Sequence, residues 1–175
     1  MTDNRSRQVV LTERPTGIPE ARHFDVQEVA RPEAVDGEFL VRNRFLSVDP
    51  AMRGWVNAAA NYSEPVAIGQ VMRSFAAGEV VHSNHPDYAA GDLLCGMFGW
   101  RDYAVSDGSN VIFRNDIADA PLSASLGILG VNGITAYLGL LDVGEPKTGE
   151  TVVVSTAAGS VGSAVGQIAK IKGCR

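Results

Sequence analysis

Residues 151–173, TVVVSTAAGSVGSAVGQIAKIKG, constrain the fold of this chain more than any other stretch. The run Thr151-Val152-Val153-Val154 reads as a buried strand, because β-branched side chains suit a packed, pleated surface. Ala157-Ala158-Gly159-Ser160-Val161-Gly162 then reads as a tight turn, and a helical pattern continues to Gly173. Strand, glycine turn and helix in that order make the first unit of a dinucleotide-binding sheet. A pyrophosphate must reach the backbone N–H groups at such a helix start, and a Cβ there stands in its way. Gly159, Ser160, Val161, Gly162 and Ser163 are therefore the candidate cofactor-binding residues. Ala157 occupies the place of the first glycine in G-x-G-x-x-G, which leaves the tightness of the opening turn as a question for the structure.

The helix itself is expected to carry Val161, Ala164, Val165, Ile168 and Ile171 on a broad apolar face. Gly166 is expected to let it pack closely on the sheet, and Lys170 and Lys172 sit near the negative end of its dipole. No Asp or Glu occurs from Thr151 to Arg175. An acid in the first turn stabilises an isolated helix by about 0.3–1 kcal/mol, but it would repel a bound phosphate. The alternative reading of the same residues is a tightly packed small-residue strand-turn-helix with no ligand. A rival phosphate loop fails: Gly144 and Gly149 have Walker spacing, but Glu150 and Thr151 follow where Lys and Ser/Thr are required.

Upstream the pattern is β-rich. Residues 6–12, 22–31 and 37–48 read as strands, separated by turn-formers around Pro15-Thr16-Gly17, Arg31-Pro32-Glu33 and Asp36-Gly37. Phe39, Val41, Phe45 and Ser47 alternate with Arg42 and Arg44, as in a half-exposed strand. Asp49-Pro50-Ala51-Met52-Arg53-Gly54 looks like one helical turn opening on Pro. Further strand-like pieces fall at 66–74, 77–83 and within 93–105. With 19 glycines and eight prolines between them, such short strands suggest a compact, partly closed barrel. Residues 122–129 and 134–141 have helical character, separated by Gly130-Val131-Asn132-Gly133, so a boundary between β-rich body and α/β unit lies near 118–145.

The net charge of −5 and the lack of any basic block argue against nucleic-acid binding. No stretch approaches membrane-spanning length, and the start of the chain has no signal-peptide pattern. Cys95 and Cys174 form no paired framework, which fits a reduced, cytoplasmic setting.

Several segments together resemble the medium-chain dehydrogenase/reductase superfamily, and most closely its zinc-free branch of prostaglandin/leukotriene reductases, curcumin reductases and alkenal double-bond reductases. They are Phe45-Leu46-Ser47-Val48-Asp49-Pro50-Ala51-Met52-Arg53-Gly54, Ile68-Gly69-Gln70-Val71-Met72-Arg73, Gly78-Glu79-Val80-Val81-His82-Ser83, Gly99-Trp100, Gly133-Ile134-Thr135-Ala136-Tyr137-Leu138-Gly139 and the glycine turn. The matches run in order across nearly the whole chain. The resemblance implies an α/β protein overall. A GroES-like, partly open β-barrel substrate domain would span 1–120 and connecting helices 121–145. The first βα unit of an NADP-binding Rossmann domain, cut short, would span 146–175.

It also implies an NADP(H)-dependent reductase of the C=C bond in small-molecule α,β-unsaturated aldehydes or ketones, of which this chain is the N-terminal part, inactive alone; a homodimer is expected, because a lone strand and helix leave an apolar sheet edge uncovered. Two cysteines are too few for a structural zinc site, and Gln70 stands where the zinc branch has a histidine. His23, His82 and His85 have no ligand spacing and read as solvent-facing, so no metal is expected. Tyr62 and Met52 are the candidate substrate-pocket residues, Ala51 replaces a tyrosine usual in the family, and Thr135 is the candidate contact near the nicotinamide. Arg53 is expected to brace its loop by ion pairing. No catalytic residue is assigned, because the family's usual proton-donating tyrosine lies in the second half. Two other functions stay open: a truncated non-catalytic domain or binding module, and an NADPH-dependent quinone reductase of the same superfamily.

Overall fold

The structure, a computed structural model, describes residues 4–59 and 63–175. It divides into two compact units, one up to Ala118 and the other Asp119–Arg175.

In the first unit β1 (Arg5–Leu11) and β2 (Phe24–Ala30) form an antiparallel pair, with Arg5 opposite Ala30 and Leu11 opposite Phe24. Five further strands are β3 (Phe39–Leu46), β4 (Ala76–Ser83), β5 (Leu93–Gly96), β6 (Tyr103–Ser106) and β7 (Val111–Arg114). They form one antiparallel sheet in the order β6-β3-β4-β5-β7. Its two ends do not pair with each other, so the barrel is open along one side. Single bridges between Gln8 and Arg101 and between Val10 and Val71 fasten β1 to the rest of the unit.

Two cores follow from this layout. Phe39, Val41, Ala76, Val80, Leu94, Phe98 and Ala104 fill the inside of the larger sheet. Leu11, Met52, Trp55, Val56, Val66 and Met72 pack beside it, under the short helix α1 (Ala51–Trp55). Pro50 caps α1, as a residue with fixed φ at a helix entrance should.

Three expectations for this unit are corrected. The strand expected over 66–74 is not a full strand: the segment joins β1 through the Val10–Val71 bridge and backbone bonds from the Gly69 N–H to Leu11 O, the Leu11 N–H to Gln70 O and the Met72 N–H to Val9 O. The simple alternation along β3 fails because register shifts fall between Leu40 and Val41 and between Asn43 and Phe45. As a result Phe39, Leu40 and Val41 are all buried and Phe45 is 45% exposed. Strand β7 was not anticipated: its four residues alternate, but the run is too short to stand out.

The second unit is helical among its described residues. A 3-10 turn covers Leu122–Leu126, α2 covers Val131–Leu138, a wider turn covers Gly139–Val143, and α3 covers Ser160–Ile171. The expected turn at 130–133 is in fact the start of α2. Gly133 lies inside that helix because a Cβ there would come 1.8 Å from the Ile128 carbonyl oxygen. Residues 151–154 are extended but do not form the buried strand expected, and Val153 is 91% exposed. A strand needs pairing partners on its flanks, and here only a first rung exists. The Arg175 N–H donates to Glu150 O at 2.8 Å and the Val152 N–H to Arg175 O at 2.7 Å, the slanted pattern of parallel pairing. No helix among the described residues is long and apolar enough to cross a membrane.

Candidate functional site

The glycine turn is built as a tight loop feeding α3. The Gly159 N–H donates to Thr156 O at 2.9 Å, closing the turn, and Gly159 is the N-cap with extended backbone angles. The left-handed residue that the opening needs is Thr156, at φ +53°. Ala157 therefore requires no glycine, which answers the irregular first position of the motif. A β-branched residue held in that region costs roughly 1–3 kcal/mol and persists only where its surroundings fix it. Nothing in the sequence distinguished Thr156 beforehand.

Gly162 is required by contact within the turn. A Cβ there would lie 2.4 Å from Thr156 O and 2.9 Å from the Ala157 Cα. One at Gly159 would sit 3.2 Å from the same carbonyl, a milder conflict. The first full-turn bond of α3 runs from the Ser163 N–H to Gly159 O at 2.9 Å. The N–H groups of Ser160, Val161 and Gly162 precede it, as every helix start leaves them. No side chain caps α3 and no acid occupies its first turn. The Ser163 hydroxyl turns inward, donating to Ser160 O at 3.1 Å. A Cβ at Gly166 would meet nothing within 4 Å, so the close packing expected there is absent: no sheet faces that position.

Beside the turn, α2 packs on α3. Ile134, Tyr137 and Leu138 face Ala164, Ile168 and Ile171 across an apolar cleft of about 670 Å³. Thr135 lies on the exposed part of α2, and its hydroxyl donates to Val131 O at 2.7 Å. The glycine turn and Thr135 thus belong to one unit.

On the first unit, Met52 is buried in the smaller core and does not line an open surface. Tyr62 lies outside the described residues. Arg53 braces its loop, though through neutral partners in place of the ion pair expected: it donates to Asn57 Oδ1 and, at 3.5 Å, to Pro15 O. Arg14, which sequence reasoning passed over, does more. Its guanidinium donates to Val56 O at 3.1 Å, Asn57 O at 2.6 Å and Val66 O at 3.0 Å, holding both ends of the 56–66 loop. Arg73 reinforces this by donating to Ser63 Oγ and Glu64 O while lying over the Trp55 ring.

His23 is 3% exposed, against the solvent-facing position expected, because its Nδ1 accepts the Glu20 N–H at 2.8 Å and ties the turn before β2. His82 is exposed, and His85 packs edge-on to Phe39. Among the described residues no group of three or more His, Cys, Asp or Glu side chains gathers as metal ligands do. Burial pushes the Cys95 thiol up to about 11, so this cysteine is a packed neutral group.

Residues 7–113 match a family model described as the N-terminal domain of oxidoreductase. The chain is 49% identical over 173 residues to an NADPH-dependent curcumin reductase of Escherichia coli (strain K12), covering 98% of this chain and 49% of that protein. It is 38% identical over 174 residues to a 2-alkenal reductase (NADP(+)-dependent) of Nicotiana tabacum, covering 97% and 50%. The crystal structure of CurA in complex with NADPH from Vibrio vulnificus superposes with a TM-score of 0.86 at 45% identity, over 97% of this chain and 50% of that one. The chain spans about half the length of the curated relatives it matches.

Proposed function

The chain belongs to this oxidoreductase family, in its medium-chain dehydrogenase/reductase branch, and from that premise we propose that it forms the N-terminal part of an NADPH-dependent reductase of α,β-unsaturated carbonyl compounds. The single observation that carries the reading is the uncapped start of α3, held against a turn that leaves no room for a Cβ at Gly162.

The residues present fit a dinucleotide phosphate. Three successive backbone N–H groups, from Ser160, Val161 and Gly162, offer donors to a pyrophosphate, and the absence of acids in the first turn keeps the local potential favourable. Bound NADPH supplies a hydride. This chain's share of the work is to hold the phosphates at α3 and to place Thr135 on the same unit. On the first unit, Arg14 and Arg73 hold described residues on either side of the substrate-side candidate Tyr62. NADP rather than NAD rests on the cofactor named for the relatives.

In this reading residues 146–175 begin a Rossmann-type domain, and the first parallel rung at Glu150, Val152 and Arg175 supports it. The reaction needs no metal, because charge that develops on an enone oxygen can be stabilised by hydrogen-bond donors alone. The protein is cytoplasmic and homodimeric, and small molecules rather than nucleic acids or membranes are its partners.

The test is made on the relatives' full length: a form carrying this chain followed by the second half. It is expected to oxidise NADPH with an enal or enone, at a rate unchanged by EDTA. Rates that collapse on chelation, or turnover restricted to quinones, would overturn the reading.

A further inference from the structure

We propose that a recess on the first unit, walled by Arg5 and Arg7 on β1 and by Arg42 and Arg44 on β3, binds a small diphosphate-bearing anion. The recess has a volume of about 590 Å³, within the range of small-ligand sites, and Tyr103 at the start of β6, with Asp102 just before it, forms part of its lining. It lies wholly within the first unit, and the glycine turn belongs to the second.

The arrangement is a product of strand geometry. Residues two apart on a strand point to the same side, roughly 7 Å from each other. Arg5 and Arg7 therefore form one pair of guanidiniums, while the register shift between Asn43 and Phe45 falls at Arg44 and both Arg42 and Arg44 still line the same depression. Each guanidinium is a planar fork suited to two phosphate oxygens, so paired forks suit an anion with two phosphate groups better than a single carboxylate.

Charge in the recess is not balanced. Arg5 pairs with Glu28 at 3.1 Å and Arg7 with Asp102 at 3.0 Å. Arg44 reaches Glu79 at 2.9 Å, a residue outside the lining. Arg42 forms no salt bridge among the described residues; its charge acts on Asp102, which already serves Arg7. Burial works to raise the Asp102 carboxyl, but hydrogen bonds from Arg7 and the charge of Arg42 hold it below the usual carboxylate range. Asp102 thus remains ionised, and with Glu28, Asp102 and Glu79 paired to Arg5, Arg7 and Arg44, Arg42 is the lining arginine without a salt bridge among the described residues. Arg42 thus offers a positive charge within a chain of net charge −5.

The test is calorimetric titration of the chain with inorganic pyrophosphate, and separately with ADP, in about 50 mM NaCl, where surface charges are weakly screened. Pyrophosphate is expected to bind, and Arg42→Gln to weaken it about tenfold, as loss of one charge-assisted pair does. ADP binding with the same Arg42 dependence would identify a nucleotide diphosphate as a source, and pyrophosphate alone would identify the inorganic anion. Lys170→Gln, which removes an equal charge from an exposed residue outside the recess, is expected to leave both affinities unchanged. The Nε–Hε resonances of Arg42 and Arg44 should shift on titration. No binding up to about 10 mM pyrophosphate would overturn the proposal. So would equal affinity in Arg42→Gln, or an equal loss in Lys170→Gln. Arg42 is exposed, so its replacement leaves the fold intact.

Discussion

In the first unit Phe39, Phe98, Leu11 and Met72 are fully buried, whereas in the second Ile134, Tyr137, Leu138 and Ile171 stand 46% to 83% exposed. The two regions use similar residue types and reach opposite outcomes. The larger sheet buries side chains of β3, β4, β5 and β6 against one another and against Phe98 and Tyr88, so water is kept out of the larger core. Two helices packed on each other cover one stripe apiece and leave the rest in water. The first unit thus carries its own stability, and the second presents an apolar surface of the kind that is stable only when covered.

The sharpest way to break that contrast is Phe39→Ala. Truncating a fully buried aromatic removes its transfer energy and leaves a cavity, with an expected cost of about 3–5 kcal/mol. Both tryptophans, Trp55 and Trp100, lie in the first unit, so urea denaturation followed by fluorescence reads that unit alone. A cost under about 1 kcal/mol would mean that the larger core is loosely packed and the two units are alike.

Gly133→Ala addresses the second unit with a smaller effect. Alanine improves helix propensity by about 1 kcal/mol, which would stabilise α2 if space were available. Space is not available, because the added Cβ meets the Ile128 carbonyl at 1.8 Å. The expected net loss is about 1–3 kcal/mol, the usual cost of overpacking. It should appear as reduced helical circular dichroism with an unchanged tryptophan midpoint. A shared shift of both signals would show that the units unfold together.

The contrast also explains what could be read in the sequence. Strands β1 to β4 were legible because each is long enough to show its pattern and is bounded by Pro or Gly turns. Helix α3 and the need for Gly162 were legible because the glycine spacing and apolar periodicity coincide. Bulges were not, since an extra residue at 40–41 or 43–45 leaves no mark on composition. Nor was the fate of Val152-Val153-Val154: a β-branched run states what a segment can do, while its pairing is decided by neighbours elsewhere. Gly130-Val131-Asn132-Gly133 looked like a turn because two glycines weaken a helix, and only the close approach of Ile128 explains why one lies inside it. At the candidate site, Thr156 and Arg14 were invisible. One is defined by a backbone angle, and the other by three carbonyls that lie more than forty residues away in sequence.

Thiol chemistry sharpens the comparison further. Cys95 is buried in β5, while Cys174 is partly exposed in the second unit. With its thiol pushed up to about 11, Cys95 is neutral at pH 8 as well as shielded. One thiol per chain should react with Ellman's reagent at pH 8, and the other only after urea is added. The folded state resists ionising Cys95, so stability should be level below the ordinary thiol value of 9.0 and fall as pH rises from there towards about 11. Two equally fast thiols would show that the first unit opens readily.

The smallest expected effect lies at Ile171, 83% exposed at the end of α3. Its side chain is already in water, so Ile171→Lys should change stability by less than about 0.5 kcal/mol. Its influence should instead be on association. The cleft between α2 and α3 is apolar and open, and a charge placed at its rim must be desolvated if two copies bury that surface against each other. Light scattering is therefore expected to show a dimer for the original chain and a monomer for Ile171→Lys at equal thermal stability. A monomer in both cases would show that the exposed face does not drive self-association. A loss above about 1 kcal/mol would show that Ile171 is covered in solution, and the distinction between a closed unit and an open one would then fail at the residue that expresses it most strongly.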